Sequence, residues 1–349
     1  MITKLHIEGY KSIKDQDVEL RPINVLIGGS GIGKTNFIST FNLLRSIFEN
    51  ELQKYCNKKG GANTLLYMGK KRTSEITLEM HFEKNGYQNQ FKINLEEAQD
   101  NLIMRNGYAS LHEQQWKDLP SEFINGEKIP TWLQILLSQF KVYHFHDAGD
   151  KSPMKGLSKL HDNSFLRYDG ENIASFLYYL QEKHPKHFKR IEMNVKAVSP
   201  FFDSFNLKPN RLNEETIRLE WKQKGAEDTY FNAYQLSDGT LRFICLATLL
   251  LQPEPPQTII IDEPELGLHP QAINRLATLI KKVSTKSQVI ISTQSVNLVD
   301  NFDADDIIAV DMKDHASCFR RLNKANLSVW LDEYSTGELW EKNLIGGQL

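Results

Sequence analysis

Apolar positions recur with two different periods along the chain, and the changes of period mark out its elements. In residues 2–8, Leu5 and Ile7 alternate with polar neighbours, the pattern of a half-buried strand. Residues 23–27 (Ile-Asn-Val-Leu-Ile) are mostly apolar and run straight into a glycine cluster. Phe37, Ile38, Phe41, Leu44, Ile47 and Phe48 then fall at helical spacing and predict a helix over 34–48. Strand, glycine loop and helix in that order make one unit of an α/β fold.

The middle of the chain changes character. Ile76, Leu78, Met80 and Phe82 alternate, Asn85-Gly86 supplies a turn, and Phe91, Ile93 and Leu95 alternate again, which predicts a β-hairpin with a loop longer than two residues. With further turns expected at Asn106-Gly107 and Asn125-Gly126, residues 60–130 read as an antiparallel β layer. A helix is expected at 131–140, a strand at 141–146, a long loop over 146–170 and a helical stretch over 171–198. Ile217, Leu219 and Trp221 alternate as one further strand, and Trp132, Phe176, Tyr178, Tyr179 and Trp221 read as core or interface residues.

The last third returns to α/β patterning. A largely apolar helix covers 240–251, a buried strand 258–261, an amphipathic helix 270–283 and a second buried strand 289–291. Continuous apolar runs of this kind belong to parallel strands covered on both faces. The expected organisation is an N-terminal lobe (1–145), an inserted region (146–235) and a C-terminal lobe (236–349), together forming one head.

Composition narrows the class. Of 349 residues 40% are apolar and 25% charged, and the net charge of −2 gives no global attraction to nucleic acid or membrane. The three cysteines, Cys56, Cys245 and Cys318, have no metal-ligand spacing and suit a reducing compartment. No apolar run approaches the ~20 residues of a membrane helix and no signal-peptide core is present, so a cytoplasmic protein without membrane contact is expected.

Candidate chemistry lies at both α/β ends. Gly28-Gly29-Ser30-Gly31-Ile32-Gly33-Lys34-Thr35 matches G-x-x-x-x-G-K-[ST], with a strand before it and a helix after it. Such chemistry needs Gly28, Gly31 and Gly33 so that backbone N–H groups can turn inward around phosphate oxygens, with the helix directing its positive end at the same anion. Lys34 is then expected on the β- and γ-phosphates, the Thr35 hydroxyl on Mg²⁺, and Asn36 beside the nucleotide. Ile259-Ile260-Ile261-Asp262-Glu263-Pro264 is an apolar strand ending in two carboxylates; Asp262 is expected in the Mg²⁺ shell and Glu263 as the general base for water. ATP and Mg²⁺ are the implied substrate and metal.

Four further segments resemble the ABC ATPase superfamily and its SMC/RecF/OLD-like branch. Leu236-Ser237-Asp238-Gly239-Thr240 is similar to the signature L-S-G-G-Q, with Asp and Thr replacing a Gly and the Gln; Ser237 and Gly239 are the implied nucleotide contacts. Leu266-Gly267-Leu268-His269 stands at the D-loop position, and Ser292-Thr293-Gln294-Ser295 at the switch position, where Gln294 replaces the His of many relatives. Gly9-Tyr10-Lys11-Ser12-Ile13 resembles the opening of the SMC/RecF branch, which implies that Lys11 and Ser12 lie beside the nucleotide. The chain as a whole resembles a stand-alone bacterial ATPase family with AAA-type, ABC-like heads, found in anti-phage defence modules, through Val-Tyr-His-Phe-His-Asp (142–147), the motifs above and a tail like Tyr334–Trp340. The implied fold is an ABC/SMC-like head with a P-loop core in a mixed sheet, an antiparallel β layer and a helical signature lobe. The implied partners are a second copy, joined through ATP, and a separately encoded nuclease or toxin effector. A RecF-like clamp on DNA is the alternative. The basic clusters Lys54, Lys58, Lys59, Lys70, Lys71, Arg72 and Lys183, Lys186, Lys189, Arg190 read as solvated surface or as a DNA-facing side. No clean Q-loop glutamine is present; His146-Asp147 is the candidate, and His144, His146, Asp147 and His161 are also a conceivable metal set.

Overall fold

A computed structural model describes residues 1–84, 86–110, 116–119 and 140–347. It divides the chain into two compact units: Met1–Val142 with Gln257–Ile260 and Ser287–Leu349, and Tyr143–Pro256 with Ile261–Lys286.

The chain opens with β1 (Ile2–Tyr10), β2 (Ile13–Glu19), β3 (Ile23–Ile27) and α1 (Lys34–Phe48). Two short helices follow, α2 (Leu52–Lys58) and α3 (Ala62–Leu65), then β4 (Glu75–Lys84), β5 (Tyr87–Ala98), β6 (Asn101–Ser110), β7 (Lys117–Asp118) and β8 (Phe140–Tyr143). One sheet has the order β2-β1-β4-β5-β6-β7. The antiparallel layer therefore starts at Glu75, later than the expected residue 60, and recruits both N-terminal strands. Asn106-Gly107 does not turn the chain. Gly107 lies inside β6 opposite Ile93, where a Cβ would come 2.6 Å from the Leu119 side chain. The turn falls instead at Gln99-Asp100, both with positive φ. Asn85, Asn125-Gly126, Trp132 and the expected helix up to residue 139 lie outside the described residues.

In the second unit, a short strand β9 (Ser158–Lys159) interrupts the expected long loop. The helical stretch is two helices, α4 (Ile173–Lys183) and α5 (Pro185–Val198), because Pro185 has no N–H to continue α4 and takes the first position of α5. β10 (Phe202–Phe205), β11 (Pro209–Asn210), β12 (Asn213–Ile217), β13 (Glu220–Gln223) and β14 (Ala226–Asn232) make two three-stranded sheets, β10-β13-β14 and β11-β12-β9. Ile217 and Trp221 thus belong to different sheets, although all of Ile217, Leu219 and Trp221 are buried as their pattern predicts. α6 (Asp238–Leu251) then leads toward β15 (Thr258–Asp262) and α7 (Pro270–Val283).

The chain returns to the first unit with β16 (Gln288–Thr293), α8 (Val296–Val299), β17 (Ile307–Lys313), β18 (Ala316–Arg321), α9 (Ser328–Leu331) and α10 (Thr336–Glu341). The second sheet has the order β18-β17-β3-β16-β15-β8, with β3 parallel to both β16 and β17. Within this unit α1 packs on both sheets: Phe37 meets Phe319 of β18 at 5.3 Å and Phe48 meets Phe91 of β5 at 5.8 Å. Each such buried ring contributes roughly 1.5–3 kcal/mol. This packing fixes the helix start, and with it the glycine loop that β3 feeds. Among the described residues no helix is long and apolar enough to cross a membrane.

Candidate nucleotide site

In the first unit β3 ends at Ile27 and the backbone turns at once. Gly28, Gly31 and Gly33 take φ of 148°, 80° and 117°. A Cβ on Gly28 would lie 2.7 Å from the Val310 carbonyl oxygen, and one on Gly33 only 2.1 Å from Ser317 Oγ. Both conformation and space therefore demand glycine. Lys34, 4% exposed, begins α1 and folds its ammonium over the loop, donating to the Gly28 carbonyl and to the Gly29 carbonyl at 2.8 Å. The next side chain, Thr35, is exposed. A loop of positive-φ glycines, a cation held over it and a fifteen-residue helix beginning there fit a phosphate group.

The N-terminal motif reaches the same helix start. Lys11 Nζ donates to Ser39 Oγ at 2.8 Å, and Tyr10 Oη lies 2.9 Å from the same hydroxyl. Asn36 Nδ2 donates to Ser12 Oγ at 2.8 Å. Burial first, and the charge of Lys59 second, bring the Lys11 ammonium down to about 8. Ser317 was not singled out by sequence. Wholly buried in β18, its Oγ stands 2.7 Å from Ser12 Oγ and 2.6 Å from the Ile32 carbonyl oxygen. It thus ties the N-terminal motif to the glycine loop. A lone serine in an edge strand carries no spacing signal. Gln294, also in this unit, is exposed just beyond β16.

The remaining candidates belong to the second unit. Asp262, 8% exposed, ends β15, and Glu263 follows with φ of 42°. A left-handed conformation costs a residue with a Cβ roughly 1–2 kcal/mol, and here it turns the chain sharply after the strand. Both carboxylates line a small cleft with Phe145, His146, Arg242 and Pro264. His146 lies beyond the end of β8, so the expected strand to 146 is shorter, and the His144 and His146 rings are 6.1 Å apart. Among the described residues no three His, Cys, Asp or Glu side chains gather as metal ligands.

Ser237 caps α6, its Oγ accepting from the Thr240 N–H at 3.2 Å. Gly239 packs against the D-loop position so tightly that a Cβ would lie 2.2 Å from the Gly267 carbonyl oxygen. Arg242, a single charge in an otherwise apolar helix face, clamps this arrangement by donating to the Leu266 carbonyl at 2.7 Å and to the His146 carbonyl. Arg242 was not singled out by sequence, since its partners lie 24 and 96 residues away.

The family profile described as "AAA domain, putative AbiEii toxin, Type IV TA system" matches residues 23–300. The chain belongs to this family. Within it, the glycine loop, Asp262-Glu263 and the signature-like segment all lie inside the matched stretch. Among curated proteins the chain is similar to the energy-coupling factor transporter ATP-binding protein EcfA2 of Streptococcus agalactiae, 24% identical over 52% of this chain and 57% of the relative. It is also similar to ABC transporter A family member 11 of Dictyostelium discoideum, 26% identical over 50% of this chain and 19% of the relative. The chain thus spans about half, or less, of the length of the curated relatives it matches. Among solved structures it resembles an SMC head bound to the C-winged helix domain of ScpA, with TM-score 0.65 and 20% identity over 93% of this chain and 99% of that one. An SMC head of Pyrococcus furiosus with an extended coiled coil, bound to the C-terminal domain of ScpA, gives TM-score 0.61 and 17% identity over 95% and 98%. The fold of this AAA-domain family member is accordingly that of an ABC/SMC-like P-loop ATPase head.

Proposed function

We propose that the protein binds and hydrolyses ATP with Mg²⁺ as a head-to-tail dimer closed by nucleotide, and that the closed state governs a separately encoded nuclease or toxin in an anti-phage module. The observation that carries the nucleotide reading is the cradle at 28–34, where two glycines have no room for a Cβ and a buried lysine is held over the loop. Lys34 would hold the β- and γ-phosphates, and the oxygens of Thr35 and Asp262 suit a hard cation such as Mg²⁺. Bound there, Mg²⁺ supplies charge neutralisation along the phosphates. Glu263 takes a proton from water as the water oxygen attacks the γ-phosphorus and the bridging bond to ADP breaks. Gln294 reads the γ-phosphate through an amide that stays neutral at every pH. Lys11, Ser12 and Asn36 support the helix start, while Ser237 and Gly239 complete the site of a second copy.

The anti-phage and effector part rests on the family description, which names a toxin of a toxin–antitoxin system. The SMC heads resembling this chain are bound to a domain of another protein, ScpA, which supports a head of this fold as a docking platform. A RecF-like DNA clamp is the second reading, favoured by the exposed side chains of Lys58, Lys59, Lys71 and Arg72 in the first unit.

Two substitutions test the chemistry. Lys34→Ala removes a charge-assisted phosphate contact and is expected to weaken ATP binding about tenfold to a hundredfold. Glu263→Gln keeps the shape without the base, so ATP binds while turnover falls about 10²–10⁴-fold. Wild-type turnover by Glu263→Gln would refute the base assignment.

A further inference from the structure

Asp238 puts a carboxylate where the signature resembled by this chain has a glycine. It opens the fourteen-residue α6 next to Ser237 and is more than half exposed. A carboxylate at a helix start is stabilised by the helix dipole, but it also opposes a second anion arriving there. The second unit contains a counter-charge. Lys155 comes from the 3-10 turn Pro153–Lys155, its side chain is 4% exposed, and its Nζ lies 3.4 Å from Asp238 Oδ1. The same ammonium stands 5.9 Å from the face of Tyr234. Exposed ion pairs contribute little, whereas a buried ammonium persists only where its charge is answered.

The turn that delivers Lys155 is itself held. Ser152 Oγ accepts from the Met154 N–H at 3.2 Å, and Met154, buried, places its sulfur 3.3 Å from Cys245 Sγ inside α6. The lysine is therefore brought to one fixed place against the helix.

We infer that Lys155 is a positioning residue that cancels the charge of Asp238, so that the start of α6 can receive the phosphate of a nucleotide carried by a second copy. The inference rests on the dimer reading above. Removing Lys155 alone leaves a bare carboxylate facing the incoming phosphate, and removing both charges restores a neutral entrance. A like charge brought close to the phosphate weakens association by about tenfold to a hundredfold.

The test uses the full chain with Mg²⁺ and a non-hydrolysable ATP analogue, and reads self-association by sedimentation velocity. Lys155→Met is expected to associate about tenfold to a hundredfold more weakly than wild type, and Lys155→Met with Asp238→Asn to return to within about threefold. A double variant as weak as Lys155→Met, or a Lys155→Met variant equal to wild type, overturns the charge role. If Lys155→Met alone does not fold, the charge-free double variant decides: association near wild type supports the proposal, and weak association of a folded double variant overturns it. If wild type itself fails to associate with the analogue, the dimer reading falls and this inference with it, an outcome distinct from failed rescue.

Discussion

Lys11 carries a consequence for pH. Its ammonium is half-buried against the Tyr10 ring and Ser39, and burial brings it down to about 8, against 10.5 for an ordinary lysine. Between those values the unfolded chain holds a proton that the folded chain has lost, so folding stability rises with pH across this window. Denaturant unfolding at pH 7.5, 9 and 10 should show that rise in wild type and a flatter profile in Lys11→Met; equal slopes would remove Lys11 as its source. On the proposed nucleotide reading, with Lys11 beside the phosphates, a neutral Lys11 attracts them less, and ATP affinity should fall as pH passes about 8. The motif residues themselves were legible in the sequence, since glycine spacing and a strand-end acid pair reflect local chemistry. Ser317 and Arg242 were not, because each acts through a partner far away in the chain: Ser12 in one case, Leu266 and His146 in the other.

At the scale of elements, periodicity identified β3, α1, α6, β15, α7 and β16, whose apolar faces are long and regular. It failed where a single residue decides. Pro185 splits a helical stretch that periodicity alone would continue, and Gly107 serves side-chain room within a strand although Asn-Gly usually signals a turn. Sheet partnership was also out of reach: nothing local tells β1 and β2 to join β4. The tail is divided: Trp330 is 47% exposed, whereas residues after it dock. In α10 and after it, Leu339, Trp340 and Ile345 are buried within the first unit, while Gly337 N–H and Gly347 N–H donate to Asp300 and Asp311, each at 2.7 Å. Gly347 reaches the base of the glycine loop, since a Cβ there would lie 3.1 Å from the Ile27 carbonyl oxygen. Trp340→Ala should therefore cost about 3–5 kcal/mol in denaturant unfolding. It should also weaken ATP binding, since the loop loses its support. A stable Trp340→Ala protein with unchanged ATP affinity would show that the tail merely covers the surface.

For the whole molecule, the proposed dimer has two copies sharing their sites: Lys34 of one works with Ser237 and Gly239 of the other. Two-fold pairing makes both sites equivalent, so each single lesion disables both sites of a homodimer. Ser237→Arg should block ATP-driven association while leaving ATP binding by the single chain largely intact, and Lys34→Ala should abolish turnover from the other side of the site. The most direct measurement is ATPase activity of a mixture of Ser237→Arg and Lys34→Ala chains, with mixed dimers verified by a tag on one of them. Activity should return, because a mixed dimer has one site bearing both lesions and one bearing neither. No activity from verified mixed dimers would contradict shared sites.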